Sequence, residues 1–169
     1  MATAPAAVGF QSTDNKRYLM GTVLILDTSG SSFNQALVKL ASGANGGPIA
    51  GVTVENFVEP NYYSYATGDD PTAINGSTPT GYDISKSKPV ALAIEAGSVV
   101  LCLCAGTVAA GDLLLIGDAY GRVDNLANLS IAKDTVINPV GVAQSPGVVN
   151  AFVEVRLSDF KAMLAPIII

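Results

Sequence analysis

In Ala105-Gly-Thr-Val-Ala-Ala-Gly-Asp-Leu-Leu-Leu-Ile-Gly-Asp-Ala-Tyr-Gly-Arg-Val123, four apolar residues, Leu113 to Ile116, stand between the pairs Gly111-Asp112 and Gly117-Asp118. That punctuation is the mark of a short buried strand entered and left through turns. Asp118-Ala-Tyr-Gly121 predicts a type I turn, because Asp at the first position can accept from nearby backbone amides and Gly at the fourth tolerates the left-handed conformation. The chain is then expected to double back into Arg122-Val123 as a hairpin. Farther on, Phe152-Val-Glu-Val-Arg-Leu157 alternates, which turns Val153, Val155 and Leu157 to a core and leaves Glu154 and Arg156 to water or a partner.

Outward from this stretch the chain has 169 residues, the size of one domain, and can bury about 68–70% of its unfolded surface. Apolar residues make up 49% and charged ones only 14%, with a mean hydropathy of +0.41. So apolar a composition implies that other subunits cover part of the surface. A net charge of −5 disfavours a phosphate backbone as partner, which would call for a basic patch. No early positive charge precedes an apolar stretch at the amino terminus, and Ala96 to Gly111 is too short and glycine-broken to span a bilayer, so neither a secretory signal nor a membrane segment is expected.

Taken in order, Met1 to Arg17 lacks a period and reads as an extended arm, mobile or laid on a neighbouring subunit, whose removal is expected to weaken attachment more than folding. Residues 18–157 form the β domain. Thr22 to Asp27 is a strand closed by Thr28-Ser-Gly30. Ser32 to Ser42 fits a helix or a strand, with strand favoured by comparison of the two halves. Gly21 and Gly111 each lead an apolar run, Gly51-Val52 matches Gly141-Val142, and both offsets are 90. Two similar units are therefore expected, Ala36 to Leu40 corresponding to Leu126 to Ser130. After the strand from Pro48, residues 59–88 carry Tyr62, Tyr63, Tyr65 and Tyr82 with little periodicity, an excursion loop suited to an interface or to packing on its own domain. Pro89 to Glu95 and Ser98 to Cys104 predict a hairpin through Ala96-Gly97. Residues 158–169 form a tail that starts as a helical turn capped by Ser158, with Phe160, Met163 and Leu164 on one side. It ends in Ile167, Ile168 and Ile169, which are expected to dock on this or another subunit.

Chemistry is sparse in the residues themselves. There is no histidine, which removes Ser-His-acid and Cys-His machinery within one chain. Cys102 and Cys104 share a strand face at roughly 6.5–7 Å, too far for a mutual disulfide, and read as small core residues. Asp112, Asp118 and Asp124 are spaced unlike a calcium loop and are assigned to turns. No catalytic, metal or cofactor site is expected.

The pattern Ala-Gly-x-Val-x-x-Gly-Asp, the Gly-Arg-Val hairpin, Val140-Gly-Val-Ala143 and Val153-Glu-Val-Arg-Leu157 together resemble the capsid decoration, or head cement, proteins of tailed bacteriophages. The resemblance covers roughly Gly106 to Leu157. It implies a mainly β, compact barrel- or sandwich-like (β-tulip-like) single domain with an N-terminal arm and a C-terminal tail. It also implies a homotrimer on the outside of the expanded head, bound to the major capsid protein, with no enzyme activity. On that reading Phe10, Arg17, the four loop tyrosines and Ile167 to Ile169 provide the capsid or subunit interface. Two other readings come from the same residues. Gly-x-Val-x-x-Gly-Asp-x-Leu also resembles biotinyl and lipoyl carrier domains, but the tip Asp118-Ala-Tyr-Gly121 lacks their lysine. A phage tail or adhesin module binding carbohydrate through the tyrosine loop is the alternative.

Overall fold

Two five-stranded β units, built one after the other along the chain, share strand order and register. The computed structural model describes residues 7–13, 18–28, 37–54 and 88–166. The first unit contains β1 (Ala7–Ser12), β2 (Val23–Leu26), β3 (Leu37–Lys39), β4 (Ile49–Thr53) and β5 (Lys88–Ala93). Their hydrogen-bonded order β1-β3-β2-β4-β5 closes on itself, because β1 pairs with β5 and, in parallel, with β3. The second unit contains β6 (Val99–Leu103), β7 (Leu113–Ile116), β8 (Val123–Asn125), β10 (Gly141–Ala143) and β11 (Phe152–Leu157), ordered β6-β11-β10-β7-β8. A short ribbon pairs β9 (Val136–Ile137) with β12 (Met163–Leu164). The fold is mainly β, and the described residues contain no helix.

The repeat expected from Gly21 and Gly111 holds at the level of single hydrogen bonds. Val23↔Val52 and Leu24↔Gly51 recur as Leu113↔Val142 and Leu114↔Gly141, every residue 90 positions on. The turn before each strand repeats as well. Gly21 N donates to Thr53 O, Thr53 N to Thr22 O and Thr22 N to Leu19 O; at the same offset Gly111 N donates to Ala143 O, Ala143 N to Asp112 O and Asp112 N to Ala109 O. Both glycines hold a positive φ, 83° and 92°, which a residue with a Cβ adopts only under strain. The expected match of Ala36–Leu40 with 126–130 needs correction: Leu26↔Val38 corresponds to Ile116↔Val123, so β3 maps onto β8 with an offset of 85. The connections before these strands differ in length, and register follows hydrogen-bond pairing rather than a constant spacing. By the same comparison Val52↔Ala93 corresponds to Val142↔Arg156, an offset that falls from 90 to 63, so the first unit's β4–β5 connection is 27 residues longer.

The units differ at one seam. In the first, β1 and β3 pair at Gln11↔Leu37 and Ser12↔Val38. In the second, the equivalent strands β6 and β8 meet only at the parallel bridge Cys104↔Val123. Ahead of that bridge they splay, and Gly21 to Val23 of the first unit enters the gap: Leu103 N donates to Gly21 O (3.0 Å) and Val23 N to Gly121 O (2.8 Å). Asn45 adds a second tie. Its backbone N donates to Ile116 O (2.8 Å), its Nδ2 donates to Val136 O (2.9 Å), and its Oδ1 accepts from Asn138 N (3.0 Å). Accordingly Val23, Ile49, Val52 and Ala93 share one buried cluster with Leu114, Val140, Val153 and Val155. The interior of the first barrel is a separate cluster of Tyr18, Leu24, Val38, Ala50, Val90 and Leu92. A third cluster, Leu115, Leu126, Ile137 and Ala165, covers part of the outer face of β7.

Three expectations are overturned by this pairing. Part of the arm assigned to residues 1–17 is a stave of the first barrel: β1 pairs with β5 over Ala7↔Ala93 to Ser12↔Lys88. Removing the arm would therefore take away a strand of the barrel and damage folding directly, contrary to the expectation that attachment would suffer more than folding. Ala96-Gly97 does make a tight turn, with Ser98 N donating to Glu95 O (3.2 Å), yet β5 and β6 do not pair with each other. β5 pairs with β1 and β4, and β6 with β11, so the turn hands the chain from one unit to the next. The tail does not start a helix. Ser158 Oγ accepts from Phe160 N (3.0 Å) as a cap would, but it also donates to Pro139 O (2.7 Å), and Phe160 at φ 58° reverses the chain into β12. Within Ser32 to Ser42, Leu37–Lys39 is strand, as favoured.

Candidate interaction surface

The aspartates expected to serve turns do so. Asp118 Oδ1 accepts from Tyr120 N (2.9 Å) and Arg122 N (3.2 Å), and its Oδ2 accepts from Arg122 Nε (2.7 Å). Gly121 N donates to Asp118 O (3.3 Å) and Gly117 N to Arg122 O (2.6 Å), which closes the predicted hairpin between β7 and β8. Arg122 also donates to Asn150 Oδ1 and lies 5.6 Å from the Tyr120 ring centroid. One guanidinium thus ties the hairpin tip to the β10–β11 connection, where Val148 and Val149 are exposed. Asp112 Oδ2 accepts from Ala109 N and from Asn125 Nδ2, and buried Asp124 accepts from Asn125 N and Asn128 Nδ2. Among the described residues no group of three or more His, Cys, Asp or Glu side chains is placed to hold a metal ion.

Cys102 and Cys104 are buried and free, in the core cluster where the sequence put them. Burial, and then the neighbouring Cys104, pushes the Cys102 thiol far above its ordinary value; burial and then Asp124 raise that of Cys104. Both shifts favour the protonated form in the fold. The unfolded chain loses these protons above about pH 9 while the folded chain keeps them, so stability is expected to be unaffected below that value and to fall as pH rises through it. A thiol reagent at neutral pH should label neither cysteine in the folded protein and both in denaturant. Prompt labelling without denaturant would contradict the burial.

An exposed face lies on β10, β11 and β6. Alternation turns Val153 and Val155 inward and Phe152, Glu154 and Arg156 outward, as read from the sequence. Register places Val142, Arg156 and Val99 in one row across the three strands and Glu154 beside Leu101 in the next. Val99, Leu101, Val142 and Phe152 are 37–44% exposed. The outward position of Val99 and Leu101 carries no sequence signal, because Val99-Val-Leu-Cys-Leu103 is apolar on both faces.

Of the residues expected at an interface, Phe10 is half-buried on β1 and packs against the buried cluster of the first barrel. Arg17, Tyr62, Tyr63, Tyr65, Tyr82, Ile167, Ile168 and Ile169 lie outside the described residues, as does nearly all of the excursion loop.

The chain folds like the base of a phage head fiber. The crystal structure of the head fiber gp8.5 N base of bacteriophage phi29 superimposes with a TM-score of 0.54 at 12% sequence identity, covering 92% of this chain and 98% of that one. The match spans both β units, so the correspondence extends to the whole two-unit fold. No protein-family model and no curated protein matches the sequence.

Proposed function

We propose that this chain is a structural virion protein of a tailed bacteriophage, a decoration or cement protein on the outside of the expanded head. The observation that carries the proposal is the fold-wide likeness to a head fiber base, over 92% of the chain. The resemblance of Gly106 to Leu157 to capsid decoration proteins supports the same reading. The partner is the major capsid protein, and the protein acts as a homotrimer at junctions between capsid subunits. Three copies of one modest contact gain avidity of about 10²–10⁴ over a single contact. A ligand that binds only the expanded shell stabilises that shell by linkage. The acidic balance, net charge −5, fits a protein held by protein contacts rather than by packaged nucleic acid.

Co-sedimentation of the purified chain with expanded, empty heads tests this. Saturable binding at a fixed, symmetry-allowed ratio to major capsid subunits is expected, with little binding to unexpanded heads. A handful of copies per head would argue for a fiber-like attachment instead of a cementing layer. No binding at all would overturn the head-surface reading.

A further inference from the structure

Opposite charges sit side by side at the centre of the exposed face on β10, β11 and β6. Glu154 and Arg156 are two positions apart on β11, hence roughly 6.5–7 Å apart on one side of the strand. Neither forms an ion pair with a described residue, and Arg156 makes only a long hydrogen bond, 3.4 Å, to Gln144 Oε1. Around them stand Val99, Leu101, Phe152 and Val142, each more than a third exposed. A contact that covered this face would bury apolar surface and give each of the two charges an opposite one from outside the chain.

We infer that this face is a two-fold interface between two copies of the chain. A two-fold axis lying in the contact plane and crossing β11 at Val155 reverses the strand direction and keeps each strand over its own counterpart. Glu154 of one copy then meets Arg156 of the second, and the same pairing occurs again across the axis. Register places Val99 beside Arg156 and Leu101 beside Glu154, so the operation also sets Val99 over the second copy's Leu101. Such a patch is complementary to itself, which is what an isologous contact requires. Displacing one copy by two residues along the strand would set like charge over like charge, so the charges select this register. The apolar rim excludes water and strengthens both ion pairs. The contact is separate from attachment to heads and goes beyond the function proposed above: it joins one basal unit, whatever its size, to another.

Sedimentation equilibrium of the full chain over a wide concentration range, without heads, tests the inference. The wild type should show a reversible doubling of its basal unit. E154R makes the centre of the face all positive and R156E all negative, and each should weaken the doubling by about tenfold or more. Both side chains are exposed, so circular dichroism and the basal unit should stay unchanged. The exchange E154R/R156E should restore doubling, and an equimolar mixture of E154R and R156E should form the mixed pair although neither variant doubles alone. A wild type that never doubles, single variants that double as well as wild type, or a mixture that stays apart would each overturn the proposal.

Discussion

Replacing Gly21 with Ala should cost about 3 kcal/mol or more, whereas the same change at Gly111 should cost about 1 kcal/mol. The two glycines occupy the same turn in the two units, with the same hydrogen bonds and positive φ values of 83° and 92°. Backbone strain is therefore nearly equal, and only the surroundings differ. A Cβ at Gly111 would meet nothing within 4 Å, whereas one at Gly21 would lie 2.8 Å from Leu101 O and 3.1 Å from Leu103 N. Those are backbone atoms of β6, which is held by β11 and cannot yield without loosening the seam. At about 2–4 °C per kcal/mol for a chain of this size, thermal unfolding should fall by about 2–4 °C for Gly111→Ala and by about 6–12 °C for Gly21→Ala. Equal shifts would mean that the wedge of Gly21 to Val23 contributes nothing to stability.

Leu24→Ala and Leu114→Ala should each lose about 2–5 kcal/mol, since both leucines are fully buried. They are equivalent residues of the two units, yet Leu24 belongs to the first barrel's own interior and Leu114 to the cluster spanning both units. Despite that difference, each variant should unfold in one transition. The seam, the Asn45 tie and the shared cluster leave no way to melt one unit while the other keeps its buried surface. Circular dichroism and intrinsic tyrosine fluorescence should give coincident midpoints. Two separated transitions in either variant would show that the units are independent.

The sequence was most legible where local chemistry dictates structure. Leu113 to Ile116, the Asp118 turn and the alternation of β11 needed only runs, turn residues and period, and the offset of 90 at Gly21 and Gly51 exposed the repeat. What stayed hidden depends on distant pairing. Ala96-Gly97 makes the same tight turn whether its strands pair or part, so nothing near it reveals that β5 and β6 belong to different units. Met1 to Arg17 has no period because a strand closing a barrel over six residues, with Gly9 outward and Phe10 inward, gives little alternation. Phe160, Met163 and Leu164 imitate a helical stripe, and only the left-handed Phe160 reveals the strand. On the exposed face of β10, β11 and β6, Glu154 and Arg156 were visible as outward residues, but the apolar side chains around them were not, because β6 is hydrophobic on both sides.

The wedge of Gly21 to Val23 also bears on how the chain meets the cell during synthesis. A sheet edge left open between β6 and β8 would invite pairing with other nascent chains. The segment that covers it lies 76 or more residues earlier, and so has left the ribosome before either strand is made. Each molecule thus carries its own guard for the edge it will later expose. Supplying the second unit alone should yield a sticky, strand-seeking fragment, and adding the first unit in trans should restore its solubility.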